Sequence, residues 1–381
     1  MMDFGCQTLD FEANSIRGEA AFALVESRGA ASFWNDLRAR LSESARKYPE
    51  GGAIGFVAYE ATRSLEPRAL PNLQSDDLSL PLARLIFYKK LRREKAALQS
   101  PISARDLPEF PDFPEARNFY ESGVQTIKKY IAAGDIYQAN LTRRFDFETD
   151  FSPAQIYQRL QSFGAAPRAA LLEWNDFSIV SNSPETFLTL KNGVLEAKPI
   201  KGTIKRSSSA LEDENLRAQL AQSAKNRAEN VMIVDLMRND LGRVCEFGSV
   251  HVPQLYQIES FPTLHHGVST VRGRLRPNCT ALDAFLAAFP CGSISGAPKI
   301  RAMQILNAIE PTLRGAAMGA IGYFAFNGDM EWNVAIRTAT LIKNRAYFHV
   351  GGGIVADSQP AEEYDEMRLK ARAIYAAISG N

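Results

Sequence analysis

The chain has 381 residues, with 44 Lys plus Arg against 43 Asp plus Glu, a net charge of +1 and 45% hydrophobic residues. That length suits one large or two interlocked domains, and the charge balance gives no electrostatic case for nucleic acid or an anionic membrane. No apolar run approaches the ~20 residues of a membrane span, and the four scattered cysteines (Cys6, Cys245, Cys279, Cys291) have no metal or redox spacing, so a reduced cytoplasm is expected.

Residues 1 to about 100 read as mixed strand and helix, with Gly51 to Tyr59 a buried strand and Leu80 to Tyr88 another. Pro101, Pro108, Pro111 and Pro114 cluster as a linker, dividing residues 1–108 from residues 109–381. Pro114 to Ala133 has a helical pattern stopped by Gly134. Ile136 to Phe147 alternates: Tyr137, Ala139, Leu141, Phe145 and Phe147 mark one face, and Gln138, Asn140, Thr142 and Arg144 the other. Such a polar face is usually solvated, but it also suits the wall of a wet cleft. Ser152-Pro153 opens a short helix, Ser as cap and Pro at the first position.

Ser183 to Lys205 is the central stretch. Asn192-Gly193 is a hairpin signal, since both central residues take positive φ. Thr186 to Leu190 and Val194 to Ala197 flank it as paired strands. A two-residue turn sets Glu185 opposite Ile200, and a bulged one sets it opposite Lys201. Either way a carboxylate and an amine return to one end of the hairpin. A neutral Lys201 near pH 7 costs roughly 4 to 5 kcal/mol, which burial or the nearby Lys198, Lys205 and Arg206 would reduce. The plain alternative is a solvated cross-strand pair worth under about 1 kcal/mol.

Leu211 to Leu241 is helical, as two helices ending at Gly242, with Glu229 near Met232, Ile233 and Leu236. His266 lies in an alternating stretch, Leu264 to Val271. Leu282 to Phe289 is helical, a loop from Pro290 to Ala297 follows, and Pro298 opens a helix through Ile309. Met318 to Ile354 reads as a β-meander, with Asn327-Gly328 as a second hairpin turn. It empties into Gly351-Gly352-Gly353. A final helix from Pro360 to Ile378 sets Glu363, Glu366 and Lys370 on one face.

Gly351 to Ala356 formally matches a dinucleotide-binding pattern, but only one helix follows, so that reading is rejected. Backbone N–H groups of the glycine run can still cradle a small carboxylate. Glu229, Glu363 and Glu366 are candidates for an all-oxygen cation site, against the commoner reading of solvated helix faces. Arg337, after Val334-Ala335-Ile336, suits a bidentate grip on a carboxylate, against an ordinary strand-edge ion pair. His266 alone reads more simply as a structural histidine.

Together these segments resemble the chorismate-utilising enzymes, the family of anthranilate synthase component I and aminodeoxychorismate synthase component I. The resemblance is carried by SPE (Ser183 to Glu185), PIKGT (Pro199 to Thr203), ENVMIVDLMRNDLGRV (Glu229 to Val244) and SGAPKIRAMQ (Ser295 to Gln304). IGYF, IRTA, GGGIVADS and EEYDEMRLKA follow in family order. It implies an α+β fold of two large antiparallel-rich sheets packed together, helices outside, with the active site in the cleft between them. Residues 1–108 resemble the N-terminal region of anthranilate synthase component I, and 109–381 the chorismate-binding domain.

The resemblance also implies roles. Glu229 and Glu366, with Glu363 nearby, match the Mg2+ ligands that hold the ring carboxylate of chorismate. Arg337 and backbone N–H groups at Gly352 and Gly353 match the grip on the pyruvyl carboxylate. Glu185 matches the general acid. His266, Ser293, Thr203 and Lys370 match substrate-contacting positions, with Ser293 replacing a family threonine. Ala317 stands where relatives often carry an aromatic residue. Gln138 matches a lysine that activates water in hydroxylating members, so water addition is disfavoured. Lys201 in PIKGT is similar to the lysine of the aminodeoxychorismate branch that attacks C2 of the ring, whereas anthranilate synthases typically carry alanine there. A separate glutaminase subunit is then implied as the ammonia source. Leu24, Glu26 and Ser27 resemble the segment by which anthranilate synthases bind tryptophan. The alternatives are therefore anthranilate synthase component I and a non-catalytic tryptophan-binding subunit.

Overall fold

The computed structural model describes residues 7–12, 14–29, 32–72, 74–95, 107–207, 209–260 and 264–380. Cys6 and Pro101 lie outside them. In chain order, β1 (Gln7–Phe11) and β2 (Asn14–Ser27) precede α1 (Phe33–Lys47), β3 (Gly52–Val57) and β4 (Ala83–Lys95). Then come α2 (Pro114–Ala132), β5 (Gln138–Glu148), α3 (Pro153–Gly164), β6 (Arg168–Glu173) and β7 (Ser178–Ser183). The central stretch forms β8 (Thr186–Lys191), β9 (Val194–Lys198) and β10 (Ile200–Lys205), followed by α4 (Ala210–Gln222) and α5 (Ala224–Gly242). The rest is β11 (His251–Ser260), β12 (Leu264–Arg274), α6 (Ala281–Ala288), α7 (Gly292–Ser295), β13 (Gly296–Ala297), α8 (Lys299–Ile309), β14 (Ala320–Ala325), β15 (Met330–Val334), β16 (Thr338–Ile342), β17 (Arg345–Ile354) and α9 (Pro360–Ser379).

The strands pair antiparallel in two layers. One runs β11, β12, then β9 and β10 end to end, β8, β15, β14, β3, β4, β2. The other runs β1, β6, β7, β16, β17, β5, β13. The β1–β2 hairpin joins them, so the two expected sheets are hydrogen-bonded into one folded sheet. Period-2 alternation makes the core three-tiered. Ile54, Phe56 and Ile86 meet Ala170, Leu172 and Ile179 between the layers. On the outer face of the first layer, Phe87, Phe187 and Val271 lie under Leu37 of α1, Met237 of α5 and Phe285 of α6. On the outer face of the second, Leu141, Leu171 and Phe348 lie under Tyr120 of α2, Leu160 of α3 and Met367 of α9.

Local signals account for several boundaries. Ser152 and Gln155 close a capping box on α3. Gly134, at φ +81, ends α2. Asn192 and Gly193 both take positive φ, and Lys191 pairs with Val194, a two-residue turn.

Three expectations are corrected. Met318 to Ile354 is not a meander: β14–β15 is a hairpin in one layer and β16–β17 a hairpin in the other. Arg337 is therefore not on a strand but in the crossover 335–337. Tyr137 is not on the apolar face of β5; it precedes the strand and is 72% exposed. The chain passes between layers at Pro184-Glu185 and again at 335–337. These crossovers touch: Ser183 Oγ donates to Val334 O at 2.6 Å, Val334 N–H to Glu185 O at 3.0 Å, and Asn182 N–H to Arg337 O at 3.0 Å.

Candidate active site

Glu185 sits in the first crossover and is 5% exposed. Burial pushes its carboxyl up to about 7, while the Ser293 hydroxyl, the charge of Lys201 and the Ile200 N–H pull the other way. Its Oε1 is buried without a hydrogen-bond partner among the described residues. The hairpin register differs from both expectations. The extra residue falls on β8 between Thr186 and Thr189, where Thr186 pairs with Lys198, so Glu185 comes level with Pro199. A second irregularity, between Ile200 and Thr203 where β10 meets β12, turns Lys201 inward. Gly202 takes φ +79 there, a conformation that favours glycine.

The Lys201 side chain is 14% exposed, and its Nζ lies 3.5 Å from Glu229 Oε2 on α5. Lys198 and Arg206 point to other acids, Glu196 and Asp213, and so do not crowd the amine. Opposite stands β17. A Cβ on Gly353 would lie 3.4 Å from Lys201 Nζ and 2.5 Å from Gln138 Nε2, so glycine is what lets both side chains approach. Gln138 is fully buried, and neither of its amide atoms has a partner among the described residues. Of the polar face of β5, Gln138 approaches the Lys201 cleft, whereas Thr142 bonds to Glu310 and Arg144 pairs with Asp77. Ser293, on α7, is buried and pairs with Cys291 Sγ at 3.2 Å.

A second group gathers on α9. Glu363 Oε1 accepts from Ser358 Oγ at 2.6 Å; burial raises its carboxyl, and the neighbouring Glu366 adds to that. Glu366 pairs with Lys370 Nζ at 2.7 Å, and that charge, with those of Lys225 and Lys201, lowers it. Lys370 also donates to Gly351 O at 3.2 Å. A Cβ on Gly352 would lie 3.3 Å from Lys370 Nζ and 3.5 Å from Glu363 Oε2. Among the described residues no three acidic, His or Cys side chains converge as a ready-made metal cluster. Glu229 and Glu366 are held instead by Lys201 and Lys370. The donors still fit a hard cation: all are carboxylate oxygens, and a cation would relieve the Glu363–Glu366 repulsion.

The third corner holds His266 and Arg337. Burial, and then the charge of Arg337, push His266 down to about 4, so the ring is neutral at pH 7. Its Nδ1 pairs with Thr203 Oγ1 at 2.8 Å; Thr203 itself is exposed. Arg337 takes a left-handed φ of +50 in its crossover. Burial alone disfavours its charge, and among the described residues no acid pairs with it. Among the described residues, then, the expected strand-edge ion pair does not form at Arg337.

Leu24, Glu26 and Ser27 belong to a different network on β2. Both Glu26 oxygens are taken, by Arg28 and Arg84, and Ser27 Oγ accepts from Gly29 N–H. Leu24 is 40% exposed. Ala317 lines a separate cavity of about 30 Å3 beside Arg314 and His349. Sequence reasoning missed Lys225, which faces Glu363 and Glu366. The signal was its spacing four residues before Glu229, on one helix face.

The family model described as chorismate binding enzyme matches residues 8–376. The chain belongs to the chorismate binding enzyme family. It is 48% identical over 265 residues to the chloroplastic aminodeoxychorismate synthase of Arabidopsis thaliana, covering 68% of this chain and 29% of that protein. To aminodeoxychorismate synthase component 1 of Escherichia coli it is 39% identical over 347 residues, 85% of this chain and 76% of that one. Among solved structures of chorismate binding enzymes, anthranilate synthase component I from Streptococcus pneumoniae superposes with a TM-score of 0.80 at 30% identity, covering 95% of this chain and 92% of that one. The α+β fold with a cleft between two strand layers is the fold of this family.

Proposed function

We propose that the chain is the ammonia-using component I of an aminodeoxychorismate synthase, converting chorismate to 4-amino-4-deoxychorismate for folate precursor synthesis. The observation that carries this reading is Lys201, turned by the β10 irregularity into the cleft between Glu229 and Gly353. Anthranilate formation has no use for an amine there.

In this reading the neutral Lys201 amine forms a bond to ring C2 as the C4–O bond breaks. Glu185, protonated up to about pH 7, gives its proton to the departing hydroxyl, which leaves as water. Ammonia then bonds to C4, the double bond shifts back, and the Lys201 nitrogen leaves C2. Gln138 offers no base to activate water in competition. Arg337 and the Gly352–Gly353 backbone grip the pyruvyl carboxylate, and neutral His266 lies beside the ring. Glu229, Glu363 and Glu366 would hold Mg2+, which when bound neutralises the ring carboxylate. Every catalytic group named lies after residue 137, which supports the division at residue 108, with the first region as scaffold.

Ammonia would come from a separate glutaminase subunit. Among the described residues no helix is long and apolar enough to cross a membrane, and a cytoplasmic location is part of the proposal. The test is product analysis with chorismate, ammonium and Mg2+. We expect 4-amino-4-deoxychorismate; anthranilate with pyruvate overturns the reading. Lys201→Ala should lose at least about 100-fold in amination rate and form no ring adduct. An unchanged rate removes the nucleophile.

A further inference from the structure

We propose that Lys370 is the resident counter-ion of the carboxylate site: it holds Glu366 until a divalent cation binds, and that cation displaces it. This rests on the reading of Glu229, Glu363 and Glu366 as cation ligands. Three glutamates here face Lys201, Lys225 and Lys370. A divalent cation binding a carboxylate that a lysine already holds would set two positive charges side by side. The lysine in direct contact must therefore give way.

Geometry selects Lys370. Lys225 acts on Glu363 and Glu366 by charge alone and makes no ion pair with either among the described residues. Lys201 stands off at 3.5 Å and is 14% exposed, so it has little room to leave. Lys370 touches Glu366 at 2.7 Å, and its side chain is 41% exposed. Its ammonium and Glu363 Oε2 both lie beside the Gly352 backbone. It is tethered there by the Gly351 carbonyl, at 3.2 Å. A flexible four-carbon stem lets the head group swing clear without moving α9.

The test is calorimetric titration of the full chain with MgCl2, without chorismate. Lys370→Met should bind Mg2+ about three- to tenfold more tightly than the parent. Lys370→Arg, which keeps the charge, should stay within about twofold of it. Glu366→Gln should bind at least about tenfold more weakly. If Glu366→Gln weakens binding but Lys370→Met does not tighten it, the counter-ion role is wrong and the cation site stands. If Lys370→Arg binds as tightly as Lys370→Met, the role is likewise wrong. Unchanged binding in Glu366→Gln overturns the cation site, and the counter-ion role with it.

Discussion

Glu185 keeps its proton near neutrality because burial outweighs the three attractions that would ionise it. A raised carboxyl has a definite sign in both stability and rate. Its contribution to folding is fully present below the unfolded value near 4.5 and is lost as pH rises through about 7. Glu185→Gln keeps the shape without the charge. Relative to the parent, it should gain about 2–3 kcal/mol between pH 5 and pH 8 in denaturant unfolding, while losing most activity. A stability gap that does not move with pH would remove the burial account. The parent's amination rate should fall as pH climbs above about 7, because the acid is then ionised. Among single residues, the nearness of Lys201 to Glu185 was legible from SPE and PIKGT, but not that the ion pair of Lys201 is with Glu229. That Arg337 has no acidic partner among the described residues was not legible either, since an arginine's partners are set by distant strands.

At the scale of elements, the turn of the β8–β9 hairpin was legible because Asn192 and Gly193 tolerate positive φ whatever surrounds them. The bulges that aim Glu185 and Lys201 were not. They depend on how β8 meets β15 and how β10 meets β12, contacts far apart in sequence. Gly202, immediately after Lys201, was the available clue. Its positive φ is strained for any other residue, and a Cβ there would meet Asn226 and Leu220 at 2.9 Å. Gly202→Ala should therefore cost about 1–2 kcal/mol in unfolding and depress turnover more than a surface change of equal cost, because Lys201 is re-aimed. Equal turnover at reduced stability would detach the bulge from the chemistry. The helices needed less context. Caps and stop residues such as Ser152 and Gly134 act within a turn, so α2, α3, α5 and α9 appear close to where their patterns place them.

Across the whole molecule, the two layers and their outer helices follow from alternating strands between helical segments, and the family motifs carried the rest. What no pattern conveyed was that β15 and β16 part company, one to each layer. That parting brings the backbones of the two crossovers, which carry Glu185 and Arg337, into contact through Ser183, Val334 and Asn182. Groups from both layers then close on one cleft, where Gln138 of β5 and Lys201 of β10 both approach Gly353.

A sheet this long also has to stop. Among the described residues β11 pairs only with β12, so its outer flank offers free backbone donors and acceptors to any passing chain. Pro253 interrupts that flank, in an irregular stretch between His251 and Gln254, while Leu255 and Phe247 stay exposed nearby. Replacing Pro253 with valine should leave turnover intact yet shift light-scattering mass upward with concentration, as copies begin to dock edge to edge. The proline then guards solubility in a protein whose cleft lies elsewhere.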